Sequence, residues 1–200
     1  MALVAASYGL GTFPAADLVA NALGRDVHRE GSGNPGASNV YRLAGGRAAA
    51  LVLLADAAKG ALPALVGLTA DRADGTADRP TRPRRPRTLA LACGGAAVLG
   101  HCFPPGRTGG KGVATAAGMM AVIEPGLAVG AAAAWAGVAK GLGQASVASL
   151  TAAAILPLAM MARHRPPTEV AAVTLLAAFV AVRHAPNLRR LVQGEEPGIR

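Results

Sequence analysis

Long apolar runs alternate with short polar segments along the chain. Six runs stand out, at residues 2–23, 48–70, 88–102, 113–139, 145–162 and 170–182. A helix needs roughly 20 residues to cross a bilayer, and fewer where the membrane is thin or the helix is broken. The pattern therefore predicts an all-α integral membrane protein whose polar segments connect the helices. The first run lacks the basic start and cleavage site of a signal peptide, so we expect it to remain as the first membrane helix.

The fourth run is too long for a single crossing. It is interrupted by Glu124, Pro125 and Gly126, where proline removes a backbone donor and glycine permits a sharp turn. Divided there, the runs predict about seven transmembrane helices, so the two termini lie on opposite faces. The segments 24–47, 101–112, 140–146 and 183–200 then share one face, and a small excess of Lys and Arg on that face favours the cytoplasmic side.

Composition supports a membrane protein and narrows its partners. Apolar residues make up 52% of the 200-residue chain and charged residues 16%, against about 25% charged residues in soluble domains. The 26 glycines and 3% aromatics indicate closely packed membrane helices, since small residues let backbones approach. The net charge of +9 permits a nucleic-acid partner, but the arginines lie between apolar runs. We therefore expect no nucleic acid, and instead lipid headgroups or a small phosphorylated substrate.

Two further features concern metals and domain organisation. Cys93 and Cys102 have no accompanying metal-ligand spacing, which predicts free thiols and no metal. Segment 71–87 is rich in Pro, Arg and Asp, a composition typical of disorder. We expect residues 1–200 to form one membrane-embedded domain with a disordered external linker at 71–87.

The first polar cluster reads GSGNPGASN at residues 31–39 and is followed by Arg42. Its glycines formally satisfy the dinucleotide fingerprint, but a membrane helix precedes them and Pro35 interrupts them, which disfavours that fold. A polar turn is the simpler alternative. The abundance of Ser, Asn and Gly instead favours a loop whose backbone N–H groups and side chains bind phosphate, with Arg42 supplying charge.

The second cluster, residues 100–115, contains Gly109, Gly110, Lys111 and Gly112 at the start of a predicted helix. It is not a nucleotide-binding loop, because Pro105 stands at the position of the first glycine and Gly112 replaces the magnesium-binding Ser or Thr. Free N–H groups, the positive end of the helix dipole and a lysine converge there. The cluster therefore indicates an anion site, although a lone lysine at this depth could also be an interfacial anchor.

The third cluster spans residues 183–197. His184 and Asn187 are three apart and share a helical face, as do Ser146 and Ser149 at the start of the fifth run. His184 and Asn187 could therefore hold one ligand together. Arginines that close a cytoplasmic helix are also common lipid anchors, so ligand binding and lipid anchoring both stay open for this cluster. In the second run Asp56 and Lys59 are likewise three apart, and we favour a structural pair that supports a polar loop.

Taken in this order, the clusters resemble the bacterial membrane glycerol-3-phosphate acyltransferases that use acyl phosphate, the PlsY type. The matching segments are 11–14, 26–42, 56–60 with Pro63, 100–115, 146–149 and 183–197. The resemblance implies a seven-helix enzyme of the bacterial plasma membrane, N-terminus outside and C-terminus cytoplasmic, with its motif-bearing loops in the cytoplasm. It implies transfer of an acyl group from acyl phosphate to the sn-1 hydroxyl of glycerol 3-phosphate, without a cofactor, and we expect a monomer.

The resemblance also carries over site residues. The matching catalytic and phosphate-binding positions are Ser32, Gly33, Asn34, Asn39, Arg42, Gly109, Gly110, Lys111 and Gly112. Those that match the glycerol phosphate site are Ser146, His184 and Asn187. Supporting positions are Asp56, Lys59, His101, Thr115 and Arg190.

The chain departs from the family pattern at several places. The stretch 105–108 is shorter than usual, Thr108 replaces a lysine with Arg107 beside it, and Gly143 replaces a basic residue.

No His-x-x-x-x-Asp dyad lies on the motif face, so we expect catalysis by orientation and electrostatics, with a donor phosphate oxygen taking the proton. The alternative is a membrane transporter of an organic phosphate, which would show an inverted repeat; the sequence shows none.

Overall fold

The computed structural model describes residues 1–73 and 86–199. This part of the chain contains helices and no strands, which confirms the predicted all-α class. In chain order the helices are α1 (Ala2–Gly11), α2 (Ala15–Ala22), α3 (Ala37–Ala73), α4 (Thr88–Cys102), α5 (Val113–Ile123), α6 (Pro125–Leu142), α7 (Ala145–Ala162), α8 (Pro167–Arg183) and α9 (Ala185–Gln193).

The first apolar run is broken, contrary to the prediction of one helix. α1 ends at Gly11 and α2 begins at Ala15. Pro14 has no backbone N–H and disfavours helical geometry at the residue before it. The break leaves the carbonyls of Thr12 and Phe13 to accept hydrogen bonds from other elements, and both do so at the site described below.

The longest helix begins earlier and ends later than the second apolar run. α3 covers Ala37–Ala73 and is kinked at Gly45, with φ 80° and ψ −178°. Asn39 and Arg42 therefore lie on its first turns and not in a loop. At the other end Asp71 still belongs to α3, so the predicted disordered linker is wrong at its first residues. Residues 74–85 of that linker lie outside the described residues.

The predicted break in the fourth run is confirmed, since α5 ends at Ile123 and α6 begins at Pro125. Three segments of the described chain are long and apolar enough to cross a membrane: Ala2–Ala22, Ala37–Ala73 and Ala145–Ala162. The bent pair α8–α9 makes a fourth, and α4 and α5 are shorter apolar helices. The count of seven spans stays a prediction.

Small residues let the central helices cross closely. Gly60 of α3 lies against the Thr115 carbonyl of α5, and Gly118 of α5 lies against the Ala57 carbonyl of α3. A Cβ atom at either glycine would overlap the opposing backbone. This reciprocal contact agrees with the packing expected from a glycine-rich membrane chain.

Long-range contacts gather charged residues at opposite ends of the helices. The motif end comprises residues 24–42, 103–112, 143–146 and 183–199, which adjoin the start of α3 and the end of α4. The linker end comprises Asp71, Arg87, Glu124, Arg165 and Glu169, which adjoin the end of α3 and the start of α4. The three polar clusters of the sequence all lie at the motif end.

Candidate active site

Asn39 shapes the first loop. Its side chain is buried and its Nδ2 donates to the carbonyls of Val27 and Glu30, both at 3.0 Å. Its Oδ1 accepts from the Ser32 backbone N–H at 2.8 Å. Both donor hydrogens are thus bound to the loop, a different role from the predicted phosphate contact. Ser32 and Asn34 are half-buried in the loop that Asn39 holds.

Arg42 ties the start of α3 to the C-terminal tail, residues 194–199. Its Nε and Nη2 donate to the carbonyls of Gly198 and Pro197, each at 2.8 Å, and its Nη1 donates to the Ser38 carbonyl at 3.3 Å. These acceptors are neutral, so they leave the positive charge of Arg42 unpaired by a carboxylate. The residue predicted to supply charge to a phosphate is therefore held in place without being neutralised.

Glu196 lies within the predicted glycerol phosphate site. Its side chain is 2% exposed, and it accepts from Asn187 Nδ2 at 2.6 Å and from Arg190 Nε at 2.9 Å. Burial raises the pKa of this carboxyl, but the neighbouring side chains of Asn187, Ser146 and Arg190 outweigh burial and lower it. Glu196 lies in the third cluster of the sequence, although no role was predicted for it.

The glycine loop before α5 packs flat on the end of α4. The Gly110 N–H donates to the His101 carbonyl at 3.1 Å. A Cβ atom on Gly110 would overlap His101 Nε2 and crowd the Pro35 carbonyl, so a larger residue would displace the His101 ring. The loop leads through Gly112, in left-handed geometry, into α5. Lys111 is thereby placed directly before the positive end of the α5 dipole.

Lys111 lies among charges from all three clusters. Burial lowers its pKa to about 8, Glu196 opposes this, and Arg190, Arg42 and Arg183 lower the pKa further. Lys111 thus lies near three guanidinium groups and one carboxylate. An excess of positive charge around a half-buried lysine favours binding of an anion.

His184 and Asn187 lie beside this cluster, at the junction of α8 and α9. Both are buried. His184 Nδ1 lies 2.8 Å from the Val180 carbonyl; a carbonyl only accepts, so Nδ1 carries the hydrogen and Nε2 of the neutral ring is an acceptor. Asn187 Oδ1 is buried and has no partner among the described residues. Two acceptors are thus present where the resemblance implies a glycerol phosphate site.

Three of the predicted supporting residues, Asp56, Lys59 and His101, form a largely buried cluster beneath the glycine loop, whereas Arg190 pairs with Glu196. Lys59 Nζ lies 2.7 Å from Asp56 Oδ1, 2.8 Å from the Phe13 carbonyl and 3.1 Å from His101 Nδ1. The contacts place the α1–α2 break, α3 and the end of α4 around one ammonium group. Thr115 is buried at the crossing of α3 and α5, where it is a packing residue.

The departures from the family pattern have local explanations. Arg107 contacts the Thr12 carbonyl and lies 3.7 Å from Asp17, whose other oxygen lies 2.6 Å from His28. Arg107 therefore fastens the short loop to α2. Gly143 has φ 71° and caps α6, and its carbonyl accepts from the Ile199 N–H at 2.8 Å. A non-glycine residue would be strained at that position.

Comparisons with known proteins identify the family. The sequence profile of the family described as glycerol-3-phosphate acyltransferase matches residues 1–194. The chain belongs to this family. It is 39% identical over 196 residues to a glycerol-3-phosphate acyltransferase of Geobacter sulfurreducens, covering 97% of this chain and 94% of that protein. It is 42% identical over 201 residues to one from Thioalkalivibrio sulfidiphilus, covering 99% and 93%.

Two crystal structures share the fold of this family member. Both are of PlsY (YgiH), an integral membrane glycerol 3-phosphate acyltransferase, in its glycerol 3-phosphate form and its lysophosphatidic acid form. Their TM-scores are 0.87 and 0.85, each with 32% identity over 98% of this chain and 93% of that one. The chain is therefore a multi-pass membrane acyltransferase, and family membership decides against the transporter alternative.

Proposed function

We propose that the motif end transfers an acyl group from acyl phosphate to the sn-1 hydroxyl of glycerol 3-phosphate. The products are 1-acyl-glycerol 3-phosphate and inorganic phosphate. The observation that carries this proposal is the setting of Lys111, which lies before the start of α5 and near Arg42, Arg183, Arg190 and one buried carboxylate, Glu196. Both substrates are phosphorylated, and this excess of positive charge suits them.

Lys111 and the start of α5 are the proposed phosphate contacts, with Gly109, Gly110 and Gly112 allowing close approach. A pKa of about 8 leaves Lys111 protonated in roughly nine of ten molecules at pH 7. The free N–H groups of the first helical turn add donors. Arg42 contributes long-range positive charge, and Ser32, Gly33 and Asn34 offer polar contacts from the first loop.

The acceptor substrate is proposed to bind against Ser146, His184 and Asn187. Asn187 Oδ1 needs a hydrogen-bond donor, and a glycerol hydroxyl would provide one. An unpaired buried acceptor costs free energy that such a contact would recover. Arg190 and Glu196 hold Asn187 in place from the C-terminal side.

The proposed reaction is a single acyl transfer. The acceptor hydroxyl oxygen forms a bond to the acyl carbonyl carbon, the bond from that carbon to the phosphate oxygen breaks, and the leaving phosphate takes the hydroxyl proton. Lys111 and the α5 dipole stabilise the charge on the departing phosphate. The substrate brings its own leaving group, so we expect turnover without added metal, ATP or coenzyme A.

We also infer a bacterial plasma-membrane location, an external N-terminus, a cytoplasmic C-terminus, one domain and a monomer. Glycerol 3-phosphate is water-soluble, and a cytoplasmic motif end gives it direct access. The linker at 71–87 is then external. Labelling of a cysteine introduced at Thr76 from the outer side is the expected result; labelling from the cytoplasmic side alone would reverse the topology.

The proposed reaction is tested with purified protein in detergent. Supplied with acyl phosphate and glycerol 3-phosphate, it is expected to release phosphate and form lysophosphatidic acid in equal amounts, with full activity in the presence of a chelator. Acyl-coenzyme A serves as the comparison donor. Strict dependence on magnesium, or efficient use of acyl-coenzyme A in place of acyl phosphate, would contradict the proposal.

A further inference from the structure

Arg183 contacts the backbone of the glycine loop. Its Nη2 donates to the carbonyl of Gly109 at 3.1 Å and to that of Gly110 at 2.9 Å. The guanidinium carbon lies 5.1 Å from the centroid of the Phe103 ring. An arginine at the end of a membrane helix is ordinarily a headgroup anchor, but this one is turned inward onto the residues that precede Lys111.

The Phe103 ring that packs against the Arg183 guanidinium is itself held in place. Phe103 packs against Phe179 of α8, with ring centroids 5.8 Å apart. The Tyr8 hydroxyl donates to the Phe103 carbonyl at 2.6 Å. The guanidinium is thus held by elements from α1, α4 and α8, and stacking on an aromatic ring restricts its orientation.

We propose that Arg183 is a positioning residue, which holds the Gly109 and Gly110 carbonyls and thereby aims Lys111 at the substrate phosphate. The inference rests on the proposed phosphate role of Lys111.

Peptide geometry explains how bonds to the two carbonyls would orient the glycine loop. In a trans peptide the carbonyl and the following N–H point in opposite directions. Fixing the Gly110 carbonyl toward Arg183 therefore turns the Lys111 N–H away from it, and fixing the Gly109 carbonyl directs the Gly110 N–H to the His101 carbonyl. Glycine is otherwise the most freely moving residue. Two adjacent glycines before the key lysine need an external constraint.

The alternatives make different predictions. A headgroup anchor would leave the kinetics of the folded enzyme unchanged when removed. A direct phosphate ligand would add its effect to that of Lys111, so that the losses multiply in a double variant. If Arg183 acts through Lys111, removing Arg183 should lower kcat/KM very little in a protein that already lacks Lys111.

The experiment is a double-variant comparison of kcat/KM in detergent. The variants are Arg183→Met, Arg183→Lys, Lys111→Ala and the Arg183→Met/Lys111→Ala pair, with the exposed Arg189→Met as matched control. Arg183→Met is expected to lose roughly a hundredfold, because small misplacements at a reacting centre are that costly. Arg183→Lys, which still donates to a carbonyl, is expected to regain about tenfold, and Arg189→Met to match wild type.

The double variant decides the question. It is expected to lie within about threefold of Lys111→Ala alone. Multiplicative losses, or wild-type kinetics for Arg183→Met, would overturn the inference. If Lys111→Ala were itself fully active, the proposed site would fail as well, so the two failures are distinguishable.

A second variant tests the inference if Arg183→Met fails to fold, which its thermal midpoint would reveal. Phe103→Leu keeps an apolar side chain but removes the ring beneath the guanidinium. It is expected to lose roughly threefold in kcat/KM, and this loss should disappear in the Lys111→Ala background. No loss, or a loss that persists in that background, would count against Arg183 as a positioning residue.

Discussion

The two ends of the helices both bury charged side chains, but they balance the charges differently. At the linker end, Arg87 lies 2.5 Å from Glu124 and 2.6 Å from Glu169, and Arg165 lies 2.7 Å from Glu124. Among the described residues of this cluster, two arginines meet two carboxylates, which are only 2% and 1% exposed. At the motif end, Lys111 lies near the guanidinium groups of Arg42, Arg183 and Arg190 and near one buried carboxylate, that of Glu196.

This difference separates a structural cluster from a binding site. The linker end joins the starts of α4, α6 and α8 through paired charges, and within the described residues the two arginines of this cluster are balanced by Glu124 and Glu169. At the motif end, Arg42 and Arg183 are held by backbone carbonyls, which fix geometry without cancelling charge. Buried charges need partners, and at the motif end we propose that substrate phosphates supply the missing ones.

The largest expected effect follows from removing Lys111. Lys111→Ala is expected to cost about 2–4 kcal/mol of transition-state stabilisation, or roughly thirty- to thousandfold in rate. The thermal midpoint should stay near that of wild type, because Lys111 has an excess of like charges around it. Phosphate release measured beside Arg189→Ala provides the control; near wild-type kinetics would place the active site elsewhere.

At the linker end, a substitution should reduce the stability of the protein and leave its kinetics nearly unchanged. Glu169→Gln leaves Arg87 with a weakened buried partner and is expected to cost up to about 3 kcal/mol of stability. We expect kcat/KM of the folded fraction to stay within about twofold of wild type. Thermal unfolding in detergent and kinetics at low temperature measure the two quantities, and a large kinetic loss without unfolding would erase the distinction between the ends.

The pH profile sharpens the assignment at the motif end. Lys111 is charged below its pKa of about 8 and neutral above it, so activity should fall as pH rises through about 8 and approach a tenfold loss per unit beyond about 9. Because Glu196 raises that pKa, Glu196→Gln should move the fall to lower pH. A profile flat to pH 10 would show that the Lys111 charge is not required.

His184 distinguishes binding from proton transfer, with a smaller expected effect. If the ring only holds glycerol 3-phosphate, His184→Ala should raise the KM for it by roughly tenfold, the value of one hydrogen bond to a buried group. The proposed reaction gives the proton to phosphate, so this is the expected outcome. A selective fall in kcat would instead assign the imidazole a part in proton transfer.

Sequence patterns were most informative where chemistry is local. The glycines around Lys111, the pair Asp56 and Lys59, and the break at Pro125 each depend on neighbours within a few residues. The convergence of the three clusters was also expected, because alternating membrane helices return every second loop to the same face.

Long-range contacts could not be predicted from neighbouring residues. Arg87 was assigned to a disordered linker because its neighbours are Pro and Arg, but its carboxylate partner Glu169 is 82 residues away. Glu196 reaches Asn187 only because the chain turns back after α9 at Gly194. The helical start of α3 was missed because Asn39 and Arg42 are polar, and their burial depends on the loop and tail that pack over them.

Equilibrium binding of glycerol 3-phosphate tests most directly which end receives the substrate. Radiolabelled glycerol 3-phosphate is dialysed against wild type, Asn187→Ala and Glu169→Gln in detergent. We expect Asn187→Ala to weaken Kd about tenfold, the equivalent of roughly 1.4 kcal/mol, and Glu169→Gln to stay within about twofold of wild type. Unchanged binding in Asn187→Ala, with binding lost in folded Glu169→Gln, would contradict the account.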